Sequence, residues 1–191
     1  GPDQALRARQ LAGLARRQLR AVQPARPPLK ALAQGGHVLL CCVGAGGGED
    51  LTLGAEHFVR PIRSNTASGI HFAPIVVLAP VAPRDWFSVT NYSQVYFMQG
   101  SPSSLFDLER VNFKHASAIF ICNVSSSPKS QLAAESWMVD SEVICCARLV
   151  DAHLAPGSDT QVITDLYSGS NHPFVSMRAG APGAAAPAHP A

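Results

Sequence analysis

Five short apolar runs recur along the chain, each closed by turn-forming residues: "HVLLCCVG" (37–44), "APIVVLAPV" (73–81), "VYFMQG" (95–100), "ASAIFICN" (116–123) and "TQVITDLY" (160–167). Their length suits strands, and their near-continuous apolar character requires cover on both faces of a sheet. Between them lie segments of helical character at 51–64, 84–92, 104–113 and 131–150. Strand and helix in alternation specify an α/β chain with a parallel sheet. Right-handed crossovers leave few topologies, and the doubly wound, Rossmann-like order 3-2-1-4-5 fits five or six such strands.

In that order the stretch 99–123, "QGSPSSLFDLERVNFKHASAIFICN", crosses from the edge strand back past the first strand and creates the switch point of the sheet. Ser104, followed three residues later by Asp107, predicts a capping box, and Leu105, Leu108 and Val111 predict a buried helical stripe. Phe106 and Phe113 on this helix, with Trp137 and Met138 on the 131–150 helix, are candidates for an exposed apolar patch. Asp107 and Glu109 stand two apart on a helix and face different ways, as do Asp140 and Glu142, so neither pair reads as an acid–base couple. Asp107 reads as a helix cap, the other three acids as solvent-facing charges, and His115 as a turn residue.

Composition narrows the class. With 191 residues, 47% of them hydrophobic and 15% charged, the chain suits one folded unit. No apolar run approaches the roughly 18–20 residues of a membrane-spanning helix. The five cysteines, Cys41, Cys42, Cys122, Cys145 and Cys146, lie in apolar segments without a CxxC pair, which points to reduced thiols and a cytoplasmic setting. Cys41 and Cys42 on one strand point to opposite faces, so they do not share a metal. Residues 1–30 hold seven basic residues and one acid and read as an Arg-rich amphipathic helix (4–22) followed by a Pro linker. Residues 31–178 then form the Rossmann-like domain, and the Ala/Pro/Gly tail 179–191 reads as disordered.

"VGAGGGED" follows the first strand where a phosphate-binding turn would sit, but Glu49 stands where the third glycine of a dinucleotide fingerprint belongs. Ala79, Pro80 and Val81 stand where the second strand would supply a ribose-binding acid. No nucleophile elbow, HExxH or P-loop is present. The sequence therefore predicts neither catalytic residues nor a nucleotide cofactor.

Several blocks in register carry a resemblance. Gly100, Ser101, Pro102, Asp107, Leu108, Val111 and Asn112 in the crossover are similar to the signature of RCK (regulator of K+ conductance) domains in slowpoke-type (BK), calcium-activated potassium channels, particularly the second of their two tandem domains. Pro61 and Arg63 in "VRPIRSN", the strand "APIVVL", Trp86, and Thr164, Asp165, Leu166 and Asn171 in "VITDLYSGSNHPFV" follow in the same order, so the resemblance spans about 37–175. It implies a non-enzymatic regulatory domain on the cytoplasmic face of a membrane. Such a domain assembles with other RCK domains into a gating ring and couples ion binding or subunit contact to a separate potassium channel pore. It implies no organic cofactor and no nucleic acid, membrane contact only through the rest of the channel, and structural or interface roles for the matched residues. A regulatory ion, calcium or sodium, is within the family's repertoire, but no acid follows Asp165, so the chain carries no calcium bowl. Without a pore or the distal half of such a domain it reads as a partial RCK domain. The rival readings are a nucleotide-binding oxidoreductase domain, using Gly44 and the glycines after it, and a ligand-free adaptor.

Overall fold

The computed structural model describes residues 25–44, 51–65, 72–124 and 140–175. The expected 4–22 helix, Glu49 and its neighbouring glycines, Trp137, Met138 and the 179–191 tail lie outside the described residues. Five parallel strands form one sheet in the order β3-β2-β1-β4-β5: β1 (Val38–Val43), β2 (Ile75–Ala79), β3 (Val95–Gln99), β4 (Ala118–Asn123) and β5 (Gln161–Thr164). Central β1 sets the register, since Val38 lies opposite Ile75 of β2 and Ala118 of β4.

Alternation along the strands divides the core in two. Leu39, Cys41, Val76, Leu78, Ile119 and Ile121 point to one face, under α3 (Leu105–Arg110) and α4 (Ser141–His153). Val38, Leu40, Cys42, Ile75 and Val77 point to the other, where α2 (Ala55–Ser64) and a 3₁₀ helix (Arg84–Val89) contribute Ala55, Val59, Trp86 and Val89. Each β1 side chain is buried, as its apolar run requires. His37, just before β1, is also fully buried. Burial lowers its pKa, an effect that the Val111 backbone only partly opposes.

Several boundaries differ from the sequence expectations for physical reasons. Helix α2 begins at Ala55 because Gly54 adopts a left-handed conformation, φ 61°. The crossover helix stops at Arg110, since Asn112 is left-handed (φ 52°), a conformation that asparagine tolerates better than most residues. A short 3₁₀ turn (Phe113–His115) follows and contains His115, as a turn residue should be. The Pro-rich stretch read as a linker also packs on the fold: Phe97 N–H donates to Ala25 O at 3.0 Å, and α1 (Leu29–Ala33) starts directly after Pro28. Leu32 of α1 enters the core and its carbonyl accepts from Asn112 Nδ2 at 2.6 Å. A final short helix, α5 (His172–Val175), was not expected.

Phe113 is not part of an exposed patch. It is 0% exposed, because the left-handed turn at Asn112 swings it inward, whereas Phe106 is 71% exposed. Replacing Phe113 with alanine is expected to cost about 3–5 kcal/mol in denaturant unfolding. The same change at the exposed Phe106, which has the Arg110 guanidinium over its ring at 5.8 Å, is expected to cost less than about 1 kcal/mol.

Candidate functional site at the carboxyl edge of the sheet

In a doubly wound sheet the strand carboxyl ends carry the site. Here that edge is laced by carboxylates that accept from backbone amides of other loops. At the crossover, Ser101 N–H donates to Asp107 Oδ2 at 3.0 Å, and Arg110 Nη1 donates to Oδ1 at 2.7 Å. Arg110 reaches on to the Gln99 carbonyl at 3.4 Å, which fastens the end of β3 to α3. Gly100 leaves room for this, since a Cβ there would stand 2.7 Å from Asp107 Cγ. The Ser101 amide first, then Arg110 and Ser104, hold the Asp107 pKa below the usual carboxylate range against the opposing effect of burial.

The expected capping box forms by half. Ser104 Oγ accepts from Asp107 N–H at 3.4 Å, but Ser104 N–H goes to the Ser101 carbonyl at 3.0 Å. The Asp107 side chain is thereby free to cap the turn before the helix instead. Pro102 packs beneath, its carbonyl accepting from Cys146 Sγ at 3.3 Å, and Leu108 and Val111 are fully buried as predicted.

Asp140 corrects the sequence reading most clearly, because it is 0% exposed rather than a surface charge. Its carboxylate accepts from Tyr167 N–H at 2.8 Å, Ser168 N–H at 3.0 Å and Asn171 Nδ2 at 2.8 Å, so the loop after β5 is wrapped around it. Glu142 is exposed, as read, yet it accepts from Gly44 N–H at 2.6 Å. A carboxylate thus takes the first amide after β1, the position at which a phosphate would be received. Asp85, which the sequence did not single out, accepts from Leu53 N–H at 3.0 Å and Gly54 N–H at 2.7 Å and fixes the entry to α2.

The residues matched to the RCK signature fall into three local groups. Gly100, Ser101, Pro102, Asp107, Leu108, Val111 and Asn112 build the crossover. Thr164, Asp165, Leu166 and Asn171 shape the exit from β5, where Asp165 N–H donates to the Ile121 carbonyl at 2.9 Å. Pro61, Arg63 and Trp86 lie on the other flank: Arg63 Nη2 donates to the Ser93 carbonyl at 3.2 Å, burial lowers its pKa, and the Trp86 ring meets Phe97 edge-on at 5.7 Å. Pro61 sits within α2 at an exposed position. Among the described residues no three His, Cys, Asp or Glu side chains converge as a metal site.

Removing the Asp140 carboxylate strands three donors in a buried place, so Asp140→Ala is expected to cost about 3 kcal/mol or more in denaturant unfolding. Glu142→Gln, at an exposed contact, is expected to cost less than about 1 kcal/mol. Asp107 gives a pH signature. A folded-state pKa below the unfolded value, about 3.9, adds stability above that pH and loses it as pH falls through the folded value. Asp107→Asn is expected to flatten the stability curve below about pH 4 in acid titrations followed by circular dichroism.

Residues 33–173 match the family model described as the calcium-activated potassium channel slowpoke-like RCK domain. The chain is 24% identical over 110 residues to potassium channel subfamily U member 1 of Macaca fascicularis, covering 56% of this chain and 9% of that protein. In the solved structure of the human SLO3 gating ring, a chain superposes with a TM-score of 0.56 at 23% identity, covering 74% of this chain and 24% of that one. That likeness shows the fold. No helix among the described residues is long and apolar enough to cross a membrane. With the family model matching well over half of its length, the chain belongs to the slowpoke-like RCK domain family.

Proposed function

We propose that this chain is a cytoplasmic, non-enzymatic regulatory domain of a slowpoke-type potassium channel, related most to the second RCK domain of such channels. It assembles with other RCK domains in a gating ring and passes ion binding or subunit contact to the pore as movement. Residues 31–178 are the working domain, 1–30 the lead-in and 179–191 a tail. The signature residues act structurally or at interfaces, with calcium or sodium as the regulatory ion. No nucleic acid is involved, and membrane contact comes only through the rest of the channel.

One observation carries this reading. Asp107, Asp140 and Glu142 are spent on backbone amides at the edge where an enzyme of this fold would hold its ligand. Rigid loops at that edge suit a domain that transmits displacement. Phe87, Phe106, Tyr167 and Phe174 stand exposed and offer apolar surface for subunit contacts.

Light scattering of the chain at rising concentration, with and without calcium, sodium or magnesium, tests the proposal. Association that grows with concentration or responds to an ion is the expected outcome. A strictly monomeric species indifferent to all three ions favours the adaptor reading. A micromolar dissociation constant for NAD(H) or NADP(H), against nonspecific contact in the millimolar range at about −4 kcal/mol or weaker, would overturn it in favour of an oxidoreductase-like domain.

A further inference from the structure

Two cysteines meet at the switch point. Cys42 of β1 and Cys122 of β4 are in-register partners on neighbouring parallel strands, so their side chains leave the sheet on the same face. Strands spaced about 4.8 Å apart fall within the Cα separations of about 4.4–6.8 Å that a disulfide spans. Access differs sharply between the two: Cys42 is fully buried, while Cys122 is half-buried. Cys122 lines an open-sided cavity of about 330 Å³ walled by Leu40, Leu53, Phe58, Ile163 and Asp165. A small neutral oxidant therefore reaches Cys122 first, with Cys42 directly behind it.

The protonation states follow the same division. Cys122 Sγ donates to the Cys41 carbonyl at 3.8 Å. The adjacent Cys42 thiol lowers the Cys122 pKa, against burial and the Asp165 charge, while the adjacent Cys122 thiol and burial raise Cys42. Other cysteines supply internal contrasts. Cys41 and Cys146 are also neighbouring thiols, but both lie deep in the core on the opposite face, and Cys145 is exposed on α4.

We propose that Cys42 and Cys122 form a peroxide-responsive dithiol that closes to a disulfide between β1 and β4. Cys122 thiolate attacks one oxygen of a hydroperoxide, the O–O bond breaks, and the other oxygen leaves as water or an alcohol after taking up a proton. The Cys122 sulfenic acid so formed is attacked by Cys42 sulfur, which gives up its proton. The S–O bond then breaks, water leaves, and the S–S bond forms. Two electrons pass from the sulfurs to the peroxide. The bond locks the two strands that flank the switch point, where ordinary ladder hydrogen bonds would let their carboxyl ends part.

The full chain treated with hydrogen peroxide, alkylated and mapped by peptide mass spectrometry tests this. The expected result is a Cys42–Cys122 linked peptide, reversed by dithiothreitol, with Cys122 lost at least about tenfold faster than Cys41 or Cys146. Cys42→Ser is expected to leave a Cys122 sulfenic acid that dimedone traps. The untreated-sequence chain decides the matter alone if that variant fails to fold. Cys122 oxidised to sulfinic acid while Cys42 stays free, or an unreacted Cys122, or linkage only through Cys145, would each overturn the proposal.

Discussion

Carboxylates that reach back to backbone amides hold this domain's working edge together. Asp85 fastens the entry to α2, Glu142 the exit from β1, Asp107 the turn after β3 and Asp140 the turn after β5. A parallel sheet leaves its strand ends in loops whose N–H groups the ladder cannot satisfy, so something must accept from them. In nucleotide-binding relatives of this architecture a phosphate often does so. Here side chains of the same chain do.

The two faces of the sheet differ in how completely they are closed. Beneath α3 and α4 the strands are sealed by large apolar side chains, Phe113 and Leu108 among them. On the α2 face, β1 to β3 are sealed by Val59, Trp86 and Val89, whereas Phe120 and Ile163 on β4 and β5 border the cavity. Phe58 meets Phe120 edge-on at 4.8 Å and closes the side of the cavity toward α2.

Strand order and parallel pairing were legible in the sequence because the apolar runs are nearly unbroken, and only a doubly covered sheet accommodates them. The crossover was legible too, since Ser104, Leu108 and Val111 carry strong local signals. Asp140 was not: a spacing of two on a helix says which way a side chain faces relative to its neighbour, not whether another loop will close over it. Its donors lie 27 to 31 residues away, and Asp85 finds its amides 31 and 32 residues away, distances at which sequence carries no local pattern. α1 was hidden because the prolines before it signal a linker as strongly as a helix start.

Amide hydrogen exchange, read residue by residue with and without calcium or sodium, tests most directly whether these carboxylates are latches rather than ligand groups. Gly44, Ser101, Tyr167 and Ser168 are the amides to follow. The account predicts slow exchange at Ser101, Tyr167 and Ser168, approaching that of β1, in the ion-free chain and unchanged when ions are added. Exchange at loop rates without ions, slowing on their addition, would mean that the acids wait for a cation and would contradict it.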